Sequence, residues 1–195
     1  MALFWVAVAV GASANPGYSH GRDYISALAS IGAERAWLGM LAIASVGIAF
    51  LLTSRLVRPF SRTAAIAVAL SGIGYVIGAF ARIRCVEGAA YCGVGDRMSI
   101  DLENTRGYVH ESAVVVATLL LVIAMTALGV ALLRGGRRGL GVGSLVAAVA
   151  TVVSFALVSG DSPGGPQRAW VAVMTLWVVG IAVWTYSRAS GTRSA

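Results

Sequence analysis

The sequence has no lysine and little charge of either sign. Its fifteen cations are all arginines, its acids number eight, and charged residues make up 12% of the chain. Soluble domains carry about 25% charged residues, so a chain with half that share is poorly suited to covering a water-facing surface. The scarcity of charge argues against an ordinary soluble domain and indicates a membrane protein.

The usual signatures of cofactor and nucleic-acid binding are missing as well. The chain has no glycine-rich phosphate loop, no G-x-S-x-G and no H-E-x-x-H motif, so the sequence requires no cofactor. The net charge of +7 does not indicate nucleic-acid binding, because the arginines form short clusters between apolar runs. That distribution is typical of membrane topology signals.

Long apolar runs are what the chain does contain. A helix needs roughly 20 mostly apolar residues to cross the hydrocarbon core. Five runs are close to that length, whereas a sixth, 2–14, would reach only about 20 Å. The sequence therefore predicts a single all-α domain over residues 1–195, a bundle of six transmembrane helices at 2–14, 37–52, 63–80, 108–133, 140–158 and 169–186.

The first run has an alternative interpretation as a secretory signal peptide. Ala12-Ser13-Ala14 follows the apolar residues and matches the small-residue pattern of a cleavage site. However, no positive residue precedes the run, and signal peptides begin with a positively charged region. The absence of that region favours a membrane span.

Charges segregate between two sets of connections. One set contains arginine and no acid: Arg55, Arg58, Arg62, Arg134, Arg137, Arg138, Arg188 and Arg193. The other contains all eight acids: Asp23, Glu34, Glu87, Asp96, Asp101, Glu103, Glu111 and Asp161. Because arginine next to span ends favours the cytoplasm, we expect a multi-pass protein of the cell membrane with both termini cytoplasmic. The segments 15–36, 81–107 and 159–168 are then extracytoplasmic.

Both cysteines, Cys85 and Cys92, fall in the second extracytoplasmic segment. Disulfides form in oxidising compartments, so this position and spacing are compatible with a disulfide that closes a tight loop. The alternative is two unpaired thiols. A C-x6-C pair is not a zinc signature.

A G-x-x-x-G pattern places Gly74 and Gly78 on one ridge of the third span. Small residues at such a ridge let two helices approach closely. The pattern predicts packing inside the bundle, with a homodimer seam as the alternative.

The segment after the first span carries a resemblance. It reads Asn15-Pro16-Gly17-Tyr18, followed by Asp-x-Ile-Ser-x-Leu at 23–28, and the chain also has His110 and the pair Gln167-Arg168. These features resemble a bacterial and archaeal family of six-span membrane proteins, known as domain of unknown function 998. The resemblance implies the architecture and no particular chemistry.

Polar groups of the extracytoplasmic face form the candidate site. His20, Asp23, His110 and Glu111 are candidate catalytic residues, because paired imidazoles and carboxylates suit acid–base chemistry. His20, Asp23 and His110 are also candidate ligands of a divalent metal ion. The alternative is a hydrogen-bonded polar surface. The apolar residues at 25–31 predict a segment that lies on or dips into the outer interface.

Arginine offers a second kind of site on the same face. Arginine pairs bidentately with phosphate, and lipid headgroups are the nearest phosphates in a bilayer. The candidates for substrate or headgroup binding are Arg22, Arg82, Arg84, Arg106 and Arg168. The alternative is that these side chains pair with the neighbouring acids and order the loops.

Three functions follow from these features. The sequence favours a protein that binds lipid or a membrane partner through its extracytoplasmic face. The alternative is a membrane enzyme, a hydrolase or transferase, that acts on a lipid or lipid-linked substrate at the outer leaflet. A transporter has the weakest support, because no ionisable residue lies deep in a predicted span.

The cysteine pair provides a test of both topology and pairing. We expect a membrane-impermeant maleimide, added to intact cells, to label the chain only after reduction, because the two thiols are extracytoplasmic and joined. Labelling without reduction would contradict the disulfide. No labelling after reduction would contradict the extracytoplasmic placement.

Overall fold

The chain folds into a helical bundle, seen in a computed structural model that describes residues 1–83, 105–159 and 162–191. This confirms the predicted all-α class. Two short 3₁₀ helices, Ile25–Ala29 and Leu157–Ser159, accompany the longer elements. The described residues form six α-helices: α1 Ala2–Ala14, α2 Ala36–Val57, α3 Arg62–Phe80, α4 Thr105–Arg134, α5 Arg138–Ala156 and α6 Gly164–Gly191.

Five of these helices, α2 to α6, are long and apolar enough to cross a membrane. Helix α1 is apolar but has only 13 residues. The helices extend beyond several of the predicted spans: α2 continues to Val57 and α4 already begins at Thr105. Many large apolar side chains, such as Leu176 and Val149, are exposed on the bundle surface, as expected where the solvent is lipid.

Consecutive helices pack against one another, from α1 on α2 through to α5 on α6, and α6 also contacts α2. The interior is apolar, with Phe50, Leu121, Met125 and Met174 fully buried. Because each helix packs against the next one in the chain, successive connections lie at alternating ends of the bundle. The segment 15–35, the 162–164 turn and the start of α4 therefore meet at one end.

Glycines set the closest helix contacts. A Cβ at Gly47 on α2 would lie 2.6 Å from the carbonyl oxygen of Gly72 on α3, and a Cβ at Gly72 would lie 2.7 Å from that of Gly47. These distances are far below van der Waals contact, so neither helix tolerates a side chain at the crossing. Close approach of backbones is the main source of helix association in a bilayer.

The G-x-x-x-G ridge of α3 packs inside the chain, on α4. A Cβ at Gly74 would lie 2.9 Å from Cβ of Ala117, and one at Gly78 would lie 3.3 Å from Val114. The prediction of packing inside the bundle fits this contact. The alternative, a homodimer seam at this ridge, does not fit it, because α4 already covers both glycines.

The two ends of the bundle differ in chemistry. We call residues 15–35 the lid and the end that they cover the lid end. The opposite end, the arginine end, carries the arginine-only connections. There the guanidinium of Arg137 lies 4.8 Å from the ring centre of Phe60 and 5.4 Å from that of Trp184, two cation–π contacts.

Some predictions concern residues outside the described ranges. Cys85, Cys92 and Arg84 lie there, as do the acids Glu87, Asp96, Asp101, Glu103 and Asp161. The disulfide therefore stays a prediction. The sidedness of the termini and loops also stays a prediction, because the helices qualify as spans by length and composition alone.

The crossing of α2 and α3 gives a stability prediction. We expect Gly72→Ala to lower the free energy of unfolding by about 1–3 kcal/mol, the usual cost of overpacking, because the new methyl group would overlap a backbone carbonyl. Gly165→Ala is the matched control, since a Cβ there meets nothing within 4 Å. Thermal unfolding in detergent measures both. An unfolding temperature for Gly72→Ala equal to that of Gly165→Ala would contradict the close crossing.

Candidate functional site

The lid begins with a tight turn that ends α1. Pro16 and Gly17 occupy the two central positions, and the amide of Tyr18 donates a 3.2 Å hydrogen bond to the carbonyl of Asn15. Gly17 has a φ of 89°, which the third position of a type II turn requires and which favours glycine. The Asn-Pro-Gly sequence thus reverses the chain directly at the end of the first helix.

The side chain of Asn15 holds the two ends of the lid together. Its amide nitrogen donates to the carbonyl of Gly11 at 2.7 Å and to the carbonyl of Glu34 at 3.0 Å. Its carbonyl oxygen accepts from the amide of Glu34 at 2.8 Å. Asn15 is 5% exposed, so these three bonds form away from bulk water. Among side chains, only the carboxamides of asparagine and glutamine carry an NH₂ donor and a carbonyl acceptor on the same carbon.

The clamp on Glu34 determines the backbone at the next residue. Arg35 has a φ of 51° and is the only non-glycine residue with a positive φ in the described part of the chain. The left-handed conformation costs roughly 1–2 kcal/mol for a residue with a Cβ. Because Asn15 holds both backbone groups of Glu34, Arg35 must make the sharp turn into α2.

Arg168, on the first turns of α6, binds the other half of the lid. One guanidinium nitrogen donates to the carbonyls of Asp23 at 3.1 Å and Gly164 at 2.9 Å. The other nitrogen donates to the hydroxyl of Tyr18 and lies 3.1 Å from Nδ1 of His20. A guanidinium only donates hydrogen bonds, so in this pair Nδ1 of His20 is the acceptor.

Two neighbours of Arg168 complete the contact with α6. The side-chain oxygen of Gln167 accepts from the amide of Ile25, at the start of the 3₁₀ helix. A Cβ at Gly164 would lie 2.7 Å from the carbonyl oxygens of His20 and Asp23. The lid backbone therefore rests directly on the start of α6, where a side chain would displace it.

The apolar part of the lid lies inside the bundle. All five residues of the 3₁₀ helix Ile25–Ala29 are buried. A Cβ at Gly39 on α2 would overlap the backbone of Leu28 and Ala29. Arg82 binds the end of this helix, donating to the carbonyls of Ala29 at 2.9 Å and Ser30 at 2.7 Å. The apolar part of the lid thus packs against α2, and Arg82 donates hydrogen bonds to the end of its 3₁₀ helix.

Burial also raises the hydroxyl pKa of two tyrosines of the lid. It raises the pKa of Tyr18, and the positive charge of Arg168 opposes the rise. It raises the pKa of Tyr24 as well, where the negative charge of Glu111 adds to the effect. Both hydroxyls accordingly stay protonated and act as donors: Tyr18 to the carbonyl of Tyr24 and Tyr24 to that of Val158, each at 3.3 Å.

A small cavity of about 50 Å³ lies beneath the 3₁₀ helix. One water molecule needs about 10–15 Å³ by this measure, so the cavity has room for a few. The indole nitrogen of Trp170 is buried and has no hydrogen-bond partner within the described residues. The walls are mostly apolar, and their polar or amphipathic side chains are Ser26, Tyr75, His110, Gln167 and Trp170.

The two histidines belong to different networks. His20 is exposed and bonds to Arg168, whereas His110 is buried on α4 with Nδ1 2.7 Å from the carbonyl oxygen of Gly78. The carboxylate of Asp23 accepts from the amide of Ser19 at 2.6 Å. Across residues 1–83, 105–159 and 162–191, no three His, Cys, Asp or Glu side chains are grouped closely enough to hold a metal ion.

The candidate arginines of the described residues form two groups, those bonded to the protein backbone and those exposed at the surface. Arg82 and Arg168 donate to protein carbonyls, whereas Arg22 and Arg106 are exposed. Arg84 lies outside the described residues, as does Asp161. Sequence reasoning missed the role of Asn15, because a carboxamide at a helix end is usually interpreted only as a cap. It also missed that arginine binds backbone carbonyls here.

Comparison with known protein families identifies the family of the chain. The model of the family described as "Protein of unknown function (DUF998)" matches residues 1–184. Of the features that suggested the resemblance, Asn15 to Tyr18 and residues 23–28 belong to the lid, the Gln167-Arg168 pair binds it, and His110 instead bonds to Gly78. No curated protein and no solved structure matches the chain.

The Asn15 clamp can be tested by substitution. We expect Asn15→Ala to lower the free energy of unfolding by about 2–4 kcal/mol, because three hydrogen bonds worth about 0.5–1.5 kcal/mol each are lost. Asn15→Asp should be worse at neutral pH, since a carboxylate would face the carbonyls of Gly11 and Glu34. Its deficit should shrink as the pH falls and the new carboxyl gains a proton that it can donate.

The matched control is Ser13→Ala, two residues away, where the exposed hydroxyl bonds only to the carbonyl of Val10 in its own helix. Thermal unfolding of the purified variants in detergent measures the differences. Equal unfolding temperatures for Asn15→Ala and Ser13→Ala would show that the clamp contributes nothing.

Proposed function

We propose a lipid-binding function for this chain, which belongs to the family described as protein of unknown function (DUF998). In this proposal the protein is embedded in the cell membrane and binds the phosphate of an anionic phospholipid at the lid end, on the extracytoplasmic side. Arg35 is the principal contact. The exposed, strained position of this arginine is the observation that carries the proposal.

The state of Arg35 differs from that of the arginines that hold the lid. Arg82 and Arg168 donate to backbone carbonyls, so their guanidinium groups are engaged within the protein. Arg35 is exposed and has no side-chain partner in the described part of the chain. Strained backbone persists where the surrounding structure enforces it, and such residues cluster at functional sites. A surface position with this strain favours asparagine or glycine over arginine unless the guanidinium has a use.

The surroundings of Arg35 match the headgroup layer of a bilayer. Trp37, two residues further on, is 60% exposed, and tryptophan is enriched at the boundary between hydrocarbon and water. The N-cap residue of α2, Arg35, makes no side-chain capping bond at this helix N-terminus, which carries a partial positive charge. A phosphate beside Arg35 would meet a bidentate donor and this helix end together.

Less supports the alternative of an enzyme for a lipid or lipid-linked substrate. That function needs His20, Asp23 and His110 to act on one substrate. However, His20 bonds to Arg168, His110 bonds to the carbonyl of Gly78, and the Asp23 carboxylate bonds to the amide of Ser19. The polar groups of the lid stabilise one another, which suits a binding surface of fixed shape.

The test separates the charge of Arg35 from its backbone. Asparagine tolerates the left-handed conformation, so Arg35→Asn removes the charge and relieves strain at once. We expect its unfolding temperature to stay equal or rise, while its affinity for phosphatidylglycerol falls about fivefold, since a cation near a headgroup contributes roughly 1 kcal/mol. Native mass spectrometry of lipid adducts measures the affinity, with phosphatidylcholine as the comparison lipid.

Two further variants make the result specific. Arg35→Lys keeps the charge but loses the bidentate fork, so its affinity should be intermediate. Arg62→Asn removes an exposed arginine from the arginine end and should leave binding at the lid end unchanged. Wild-type affinity in Arg35→Asn would contradict the proposal and leave Arg35 with a structural role alone.

A further inference from the structure

Apart from Gly165 at the lid end, three glycines of α5 and α6 have no packing contact among the residues that the structure describes. A Cβ at Gly139 or Gly143 on α5, or at Gly180 on α6, would meet nothing within 4 Å. By contrast, a Cβ at Gly129 or Gly141, where α4 crosses α5, would lie within 3.0 Å of neighbouring atoms. Glycine weakens a helix relative to alanine. The three open glycines therefore need an explanation outside the contacts of this chain.

These glycines line a groove of about 350 Å³ between α5 and α6. The volume is within the range of small-molecule sites. The groove is almost wholly apolar, and its two most polar groups satisfy each other: the indole nitrogen of Trp177 donates to the hydroxyl of Ser144 at 3.1 Å. An occupant must therefore present hydrocarbon to the groove.

The charge at the end of the groove points to the rest of the occupant. Gly139 lines the groove, and Arg138 directly precedes it at the start of α5. Arg138 and Arg134 are both exposed, and neither has a side-chain partner in the described ranges. The sequence has no acid in the connection at 134–138 or after residue 185 to balance them. An occupant with a negative charge next to its hydrocarbon is complementary to this end.

We propose that an acyl chain of an anionic phospholipid occupies the groove between α5 and α6, with its phosphate bound by Arg138. This lipid belongs to the leaflet at the arginine end. The site is separate from the one proposed at Arg35 and does not depend on it. Basic pockets between membrane helices are suited to anionic headgroups.

A second copy of the chain fits the groove less well. Copies in one membrane share the same orientation, so a symmetric contact through this groove would bring the Arg138 side chains of both copies together. Repulsion between these two positive charges opposes such a dimer. A phospholipid fills the same space and neutralises the charge.

The experiment uses the full-length protein purified in detergent, with phosphatidylglycerol and phosphatidylcholine as probes. Gly143→Phe fills the groove, and the fold should accept it, because a Cβ at Gly143 meets nothing. Val149→Phe is the control, since it adds the same side chain to a lipid-facing position of α5 that does not line the groove. Arg138→Gln removes the charge alone.

We expect native mass spectrometry to show a phosphatidylglycerol adduct on the wild type and on Val149→Phe. The affinity of this adduct should fall about tenfold in Gly143→Phe, a loss of about 1.4 kcal/mol. The groove variants are compared in the Arg35→Asn background, where the other proposed phosphate contact is absent, and there Arg138→Gln should remove the preference for phosphatidylglycerol over phosphatidylcholine. In Arg35→Asn the adduct at the groove should persist, so that failure of one lipid site leaves the other measurable.

Three results would overturn the inference. One is wild-type affinity for phosphatidylglycerol in Gly143→Phe with an unchanged unfolding temperature. The second is equal affinity of the wild type for the two lipids. The third is a dimer of the wild type that Gly143→Phe dissociates, because a second copy would then be the occupant.

Discussion

The carboxamide of Asn15 bonds to both backbone groups of Glu34, and the lid end of the bundle depends on this contact. This contact joins the end of α1 to the start of α2 and so fixes the distance between the two ends of the lid. With both ends of the lid held, residues 25–29 are directed into the bundle rather than along its surface. The same contact forces Arg35 into the left-handed conformation, and so connects a buried hydrogen bond to an exposed charge.

The lid also meets a general constraint on irregular backbone near a membrane. Backbone groups that lie away from water need hydrogen-bond partners, and a loop cannot supply them from its own ladder. Here side chains from outside the lid supply them: Arg82 from the segment just after α3, and Gln167 and Arg168 from the start of α6. An arginine that donates its hydrogen bonds to backbone carbonyls cannot use the same donors to bind a ligand. In the lipid-binding function that we propose, the phosphate would therefore meet an exposed arginine such as Arg35.

The helices were predictable because length and apolarity decide them almost alone, as α3 illustrates: its predicted span, 63–80, lies within Arg62–Phe80. Packing of Gly74 and Gly78 inside the bundle was predictable as well, since close approach needs small residues. Full burial of the 3₁₀ helix was not predictable, because the apolar residues at 25–31 fit a segment on the outer interface, one that dips into it and a buried one equally well. Composition also could not show which arginines bind carbonyls, since that depends on chain segments far apart in sequence.

The lid is a fixed, hydrogen-bonded structure, and hydrogen–deuterium exchange of the purified protein in lipid tests this most directly. The amides of Ser19, Asp23, Ile25 and Glu34 donate within the protein, so peptides covering them should exchange slowly. In Arg168→Lys, where one ammonium replaces a guanidinium that contacts four acceptors, peptides over residues 18–25 should exchange faster while those over α3 stay unchanged. Fast exchange of the lid in the wild type, at the rate of an unstructured loop, would contradict the account.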